Sequence, residues 1–405
     1  MDEHFTFQFP VSKLPPLPPP PPEKLVQRQK KPISIQQMVR DAHLKKASDI
    51  HIRVGELPRF RIQGEMQIYQ ATEVVTPTIF EAYLGEVLSA AARVRFAETK
   101  ELDTAIVYPG FLRCRVNCFE TLTGGAMVLR LITLDVPTID ELELPTILKE
   151  IVNKKQGLIL VTGPTGSGKS TTLAAMIRHL NETTAKHIVT IEDPIEYIHP
   201  SQKCLISQRE VGLHTDEFHH ALRSVLREDP DVILIGEMRD RLTVDTALKA
   251  AQTGHLVLGT LHTKNTLGAI NRLLNIYNPE EQAAMRVQIV DSLVAIIAQM
   301  LLPKTDGGRK AVMEILINTP TMQDYLLQGE QTEAYQLMEA SSNEGMQVIN
   351  DALCELMLTG QITIENAIAV SPDVGDLRRR ALNGGFDPAR STRRDLYTDY
   401  DYSPR

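Results

Sequence analysis

Gly157-Leu-Ile-Leu-Val-Thr-Gly-Pro-Thr-Gly-Ser-Gly-Lys-Ser-Thr-Thr172 is the stretch that decides the fold of this chain. Its apolar quartet, Leu158 to Val161, reads as a buried strand, and Gly163-x4-Gly168-Lys169-Ser170 meets the phosphate-binding P-loop consensus at every fixed position. Glycine lets the backbone wrap an anion, so that successive N–H groups point at the α- and β-phosphates. In this reading Gly163, Pro164, Thr165, Gly166, Ser167, Gly168, Lys169, Ser170 and Thr171 hold a nucleoside triphosphate. Lys169 reaches the β/γ oxygens and the Ser170 hydroxyl ligates Mg2+. The residues from Thr171 to Leu180 are expected to be helical, which puts the positive end of a helix dipole under the phosphates.

Downstream of this loop, apolar runs recur at His187 to Ile191, Val232 to Ile235, Leu256 to Thr260 and Ala311 to Ile317. Helical patterns lie between them, such as Asp216 to Glu228, which turns Phe218, Leu222, Val225 and Leu226 to one face. Strands alternating with helices predict an α/β sheet covered on both faces, here spanning 146–383 after a first helix from Thr146 to Asn153. Ile289 to Leu302 is apolar but interrupted by Asp291, Ser292 and Gln299. It is therefore expected to be a core helix rather than a membrane span.

Upstream, 33–135 reads as a small α+β domain. A helix from Ile35 to Ala47 and a strand from Ser48 to Arg53 precede a hairpin about Gln63-Gly64. A helical stretch from Thr78 to Phe96 leads to strands at Thr104 to Tyr108, Phe111 to Phe119 and Ala126 to Leu131, the first two joined at Pro109-Gly110. Residues 136–145 look like a linker. The first 32 residues, with Pro18 to Pro22 in a row, cannot form a core and read as an extended, disordered arm; 384–405 lack apolar periodicity and read as a disordered tail.

A formal net charge of −8 over 405 residues argues against a dedicated nucleic-acid binder, so no nucleic-acid partner is expected. The first residues lack a signal-peptide pattern, which predicts a cytoplasmic protein. Cys114 and Cys118 share one face of an expected strand and, with no second Cys or His pair nearby, read as packing residues rather than a metal half-site.

Two acidic clusters follow apolar strands, where α/β enzymes place catalytic groups. They are Ile188-Val-Thr-Ile-Glu-Asp-Pro-Ile-Glu196 and Val232-Ile-Leu-Ile-Gly-Glu-Met-Arg-Asp240. Phosphoryl transfer needs a metal to neutralise developing charge and a carboxylate to orient the attacking water. Glu196 and Glu237 are the candidates, with Glu192 and Asp193 in support; Glu192 and Glu237 would hold Mg2+ directly or through water. A third cluster, Thr253-Gly-His-Leu-Val-Leu-Gly-Thr-Leu-His-Thr263, sets His255 and His262 at the ends of a buried strand, as candidate sensors of the γ-phosphate.

These four boxes, in this order and spacing, resemble the Walker A, Asp box, Walker B and His box of secretion ATPases. More closely they resemble the type IV pilus retraction ATPases of the PilT and PilU kind. The resemblance extends into the first domain through Ala47-Ser-Asp-Ile-His-Ile52 and Cys114-Arg-Val-Asn117. It implies a PAS-like domain followed by a RecA-like ATPase domain, and an enzyme that hydrolyses ATP with Mg2+. It further implies a homohexamer at the cytoplasmic face of the inner membrane, acting on a pilus platform protein there and with a paralogous retraction ATPase as a further partner. It places Arg113 near nucleotide and gives Arg115 and Arg130 the arginine-finger role; the residues alone would read as exposed strand positions. Where PilT-type members carry Ala-Ile-Arg-Asn-Leu-Ile-Arg-Glu, this chain has Thr321-Met-Gln-Asp-Tyr-Leu-Leu-Gln-Gly-Glu330, and Glu344-Gly-Met-Gln347 and Ser371 to Arg378 look more like PilU. Principal motor and accessory subunit both stay open.

Overall fold

The structure, a computed structural model, describes residues 33–108, 111–133 and 135–384. The proline-rich arm, the Pro109-Gly110 link and the tail beyond Gly384 lie outside the described residues. The described residues form two compact units: 33–102 with 117–129, and the described part of 103–116 with that of 130–384.

The chain opens with α1 (Ile35–Leu44), β1 (Ala47–Arg53), β2 (Arg59–Ile62) and β3 (Glu65–Ile68). Then follow α2 (Pro77–Val87), α3 (Ala90–Thr99), β4 (Glu101–Tyr108), β5 (Leu112–Thr121) and β6 (Gly124–Thr133). The strands form a six-stranded sheet in the order β3-β2-β1-β6-β5-β4. The single helix expected from Thr78 to Phe96 is in fact two. Ser89 sits between them and its Oγ accepts the N–H of Ala92, capping α3 and restarting the helix in a new direction.

The larger unit continues with α4 (Ile147–Val152), β7 (Gly157–Thr162), α5 (Lys169–Thr183), β8 (His187–Glu192), β9 (Leu205–Glu210), α6 (Phe218–Val225) and β10 (Val232–Ile235). It runs on through α7 (Arg241–Gln252), β11 (Leu256–Leu261), α8 (Thr266–Leu274), α9 (Pro279–Ser292), β12 (Leu293–Pro303) and β13 (Arg309–Ile317). It ends in α10 (Pro320–Gln328), α11 (Gln331–Ala340), α12 (Ile349–Leu358), α13 (Ile364–Val370) and α14 (Val374–Asn383). Its seven strands lie in the order β13-β12-β7-β11-β10-β8-β9. All neighbours pair in parallel except β12 with β13.

The P-loop strand β7 lies deep within this sheet because both of its faces are apolar. Leu158 and Leu160 enter the core on one side, Ile159 and Val161 the core on the other, and all four are fully buried. A strand of this kind must have helices above and below it. Because β8, β10, β11 and β7 run parallel, the loops leaving their C-terminal ends collect at one edge of the sheet.

The expected core helix from Ile289 to Leu302 is a strand over most of its length. Helix α9 stops at Ser292, and Leu293 takes up extended geometry at φ −71°, ψ 132°. A continuous apolar run carries no periodicity to separate helix from strand. Here pairing decides: β12 hydrogen-bonds to β7 on one side and to β13 on the other. The stretch 136–145 is packed against the large unit through Ile139 and Leu144, which join the cluster containing Ile159 and Val161. Among the described residues no helix is long and apolar enough to cross a membrane.

Candidate active site

At that shared edge opens a cleft of about 550 Å³. Its floor is the P-loop. Gly163, Gly166 and Gly168 take φ values of +147°, +80° and +88°, which bend the backbone into a cradle that a side chain at those positions would strain. Thr165, Gly166, Gly168, Lys169, Ser170 and Thr171 line the cleft, while Gly163 and Ser167 lie buried behind it and Pro164 is exposed. Helix α5 starts at Lys169 and runs 15 residues, so its first-turn N–H groups, which have no acceptor within a helix, face the cradle.

Lys169 Nζ donates to the carbonyls of Gly163 and Pro164, at 2.9 and 3.0 Å. Burial pulls its pKa below the usual lysine value, and the charges of Glu237 and Glu196 oppose that shift. Ser167 Oγ is buried without a hydrogen-bond partner. A cradle with an orphaned hydroxyl, a half-buried lysine and a helix N-terminus fits a polyphosphate. Thr171, also expected to bind nucleotide, shares a hydrogen bond with Tyr197 OH at 2.8 Å.

The acids come from neighbouring strand ends. Glu237 follows β10, with Arg239 Nη2 at 2.5 Å from its Oε2 and His262 Nε2 at 3.3 Å from its Oε1. The hydrogen bond from Arg239, with His262 adding to it, holds this carboxyl below the ordinary range, so it is an oriented carboxylate at neutral pH. Glu196 is exposed in the same cleft, as is Asp193. Glu192, at the end of β8, behaves differently: desolvation pushes it up to about 7. It accepts hydrogen bonds from Thr190 Oγ1 at 2.6 Å and Gln208 Nε2 at 3.2 Å. The cleft thus pairs an acid held ionised with one poised near neutrality.

The histidines part company. His262 follows β11 and borders the cleft beside Glu237. His255 precedes β11, and its Nδ1 lies 3.0 Å from the Ala250 carbonyl. At about 3.3 Å per residue the strand separates the two by about 20 Å. The structure therefore puts one of the two expected sensors in this cleft and the other at the far end of the sheet. Two threonines lock the His box to its neighbours: Thr162 Oγ1 accepts the N–H of Thr263 at 2.8 Å, and Thr260 Oγ1 donates to the Gly236 carbonyl.

Of the three arginines singled out in the first domain, Arg113 differs from expectation. Arg113 is buried, 4% exposed, rather than exposed as its strand position suggests. Its Nη2 lies 2.7 Å from Glu210 Oε2, both side chains being 5% exposed. Arg113 is enclosed with that carboxylate and is not among the residues lining the cleft. It acts instead on the acidic loop, because the same Glu210 oxygen accepts the N–H of Ile195, next to Glu196, at 2.9 Å. Arg115 is partly exposed and 3.9 Å from Asp103, and Arg130 is exposed.

Sequence reasoning missed the strand that braces this loop. In β9, Gln208 donates to the Tyr197 carbonyl and accepts from the N–H of His199, while Glu210 holds Ile195. Leu205-Ile-Ser-Gln-Arg-Glu210 is too polar to announce a strand, and its role emerges only from pairing with β8. His199 lines the cleft wall, and burial pulls it down to about 4. Cys114, Cys118, Cys204 and Cys354 are buried thiols not joined in disulfides, and Cys114 and Cys118 pack in β5.

The family profile described as type II/IV secretion system protein matches residues 25–307. The type IV pilus ATPase PilU of Pseudomonas aeruginosa is 43% identical over 82% of this chain and 87% of its own length. The retraction ATPase PilT of the same organism is 42% identical over 79% of this chain and 93% of its own. A crystal structure of the pilus retraction motor PilT with bound ADP superposes with a TM-score of 0.80 at 41% identity, covering 86% of this chain and 99% of that one. On the profile match, the identities and the superposition together, this chain belongs to the type II/IV secretion ATPase family, on its PilT- and PilU-like branch, and is an ATP-hydrolysing enzyme.

Proposed function

We propose that this chain is a type IV pilus retraction ATPase, a homohexameric motor at the cytoplasmic face of the inner membrane that pulls on the pilus platform protein. The observation that carries the reading is the convergence of Lys169, Glu196, Glu237 and His262 in one cleft, on a scaffold similar to the ADP-bound retraction motor.

The P-loop binds the phosphates of ATP, and Lys169 leaves the carbonyls of Gly163 and Pro164 to pair with the β/γ oxygens. Bound Mg2+, held by Ser170 with Glu192 and Glu237 directly or through water, would supply charge neutralisation at the γ-phosphate. Glu237, kept ionised and aimed by Arg239, orients the attacking water together with Glu196. His262 touches Glu237 and so reads the loss of the γ-phosphate. Arg115 and Arg130 serve as fingers toward the nucleotide of a neighbouring copy. Hydrolysis does work because ATP and ADP favour different domain arrangements, and a ligand moves such an equilibrium only by its differential affinity.

Deletion complemented by Lys169→Ala should leave cells piliated and without surface motility; full motility from that variant in a strain lacking a paralogue refutes the motor. A second reading, an accessory subunit working with a sister motor, is favoured by the Thr321 to Glu330 stretch and by the matching identity to PilU. Steady-state turnover of the purified protein separates the two. A principal motor hydrolyses ATP alone and loses at least about 100-fold in Glu237→Gln, whereas an accessory subunit turns over slowly until its paralogue is added.

A further inference from the structure

Gln299, the residue that breaks the apolar run of β12, is 3% exposed and touches both ends of the P-loop. Its Nε2 donates to the carbonyl of Ser167 at 2.7 Å. Its Oε1 accepts from Thr172 Oγ1 in the first turn of α5, also at 2.7 Å. Its own carbonyl oxygen stands against Gly163, 2.2 Å from where a Cβ would sit. None of these contacts faces the cleft, and Gln299 is absent from its lining.

We infer that Gln299 is a positioning residue for ATP hydrolysis: it aims the backbone N–H of Gly168 at the phosphates. In a trans peptide the carbonyl of one residue and the N–H of the next point to opposite sides of the same plane. The Ser167–Gly168 bond is trans, and Gly168 lines the cleft. Drawing the Ser167 carbonyl back toward β12 therefore turns the Gly168 N–H forward into the cradle. Without the amide, the peptide at this glycine, φ +88°, has little to hold it, since glycine populates many backbone states. The Ser167 carbonyl fixes which way round the amide lies, because it can only accept and so selects the NH2, which leaves Oε1 for the Thr172 hydroxyl. The amide is thus a one-way brace.

This inference rests on ATP hydrolysis alone and not on pilus retraction, so the test is made on the purified full chain in its assembled form. Gln299→Met keeps the length and loses the donor; Gln299→Glu keeps the acceptor for Thr172 and sets a carboxylate against the Ser167 carbonyl. Gln299→Met is expected to raise the KM for ATP about tenfold, equivalent to about 1.4 kcal/mol of binding. Its melting temperature without nucleotide should stay within a few degrees of wild type. In Gln299→Glu the defect should shrink as pH falls, because a protonated carboxyl regains a donor for Ser167, and wild type should show no such recovery. A KM within twofold of wild type in folded Gln299→Met overturns the inference. If Gln299→Met does not fold, Gln299→Glu decides: a KM defect independent of pH overturns the inference, and one relieved at low pH supports it.

Discussion

Adding one methyl group at Gly163 separates packing from conformation within the P-loop. A Cβ there would meet the Gln299 carbonyl oxygen at 2.2 Å, against the 3.4 Å at which ordinary contact begins. That oxygen belongs to β12, which is paired on both sides, so it cannot swing away. The loop and the strand would have to part by about 1.2 Å, an overpacking that costs about 1–3 kcal/mol. The φ of +147° adds about 1–3 kcal/mol for a residue with a side chain. Gly163→Ala should thus lose about 3 kcal/mol. Gly166 is the control: its φ is +80°, but a Cβ would meet nothing within 4 Å, so Gly166→Ala should cost only the left-handed backbone penalty of about 1 kcal/mol. The functional consequences should run the other way. The Gly166 methyl would stand in the cleft itself and raise the KM for ATP in a protein that is still stable. The chain has no tryptophan, so denaturation of nucleotide-free protein is best followed by far-ultraviolet circular dichroism. A Gly163→Ala midpoint no lower than that of Gly166→Ala would refute the packing argument.

Two further outcomes follow from buried charge. Arg113→Met should destabilise by about 3–5 kcal/mol, because Glu210 is left buried without its counter-ion. It should also slow turnover by loosening the Ile195 N–H that anchors Glu196, and adding Glu210→Gln should restore most of the melting temperature but not the rate. His199, held down to about 4 from an ordinary 6.5, is neutral in the fold. Its contribution to stability is fully present above about pH 6.5 and is lost as pH falls toward 4. His199→Asn should flatten the fall in denaturation midpoint between pH 7 and 5, and curves that stay parallel to wild type would show that burial does not control this group.

Much of the catalytic half of this protein was legible in one dimension because its signals are local. The apolar quartet before Gly163, the run Val232 to Ile235 and the glycine-rich bend each carry their own conformation, and strands that must be buried on both faces announce a parallel sheet. Since parallel strands present their C-terminal ends on one edge, the same reading also brought Glu196, Glu237 and His262 near the P-loop.

Whatever depended on a neighbour distant in sequence was not legible. The residues Leu293 to Leu302 could satisfy their backbone as helix or strand, and the free edge of β7 together with β13 decided for strand. The polar segment Leu205 to Glu210 became a strand only by pairing with β8, and with it arose the brace on the acidic loop. Arg113 looked exposed until Glu210 enclosed it, and His255 looked like a partner of His262 until the length of β11 separated them. Composition and pattern by themselves determined that a P-loop sits on a covered parallel sheet, since those are properties of the chain's own backbone and apolar faces. Only tertiary structure decided which buried polar groups hold that loop in register, because a hydrogen bond such as that from Gln299 to Ser167 joins residues 132 positions apart.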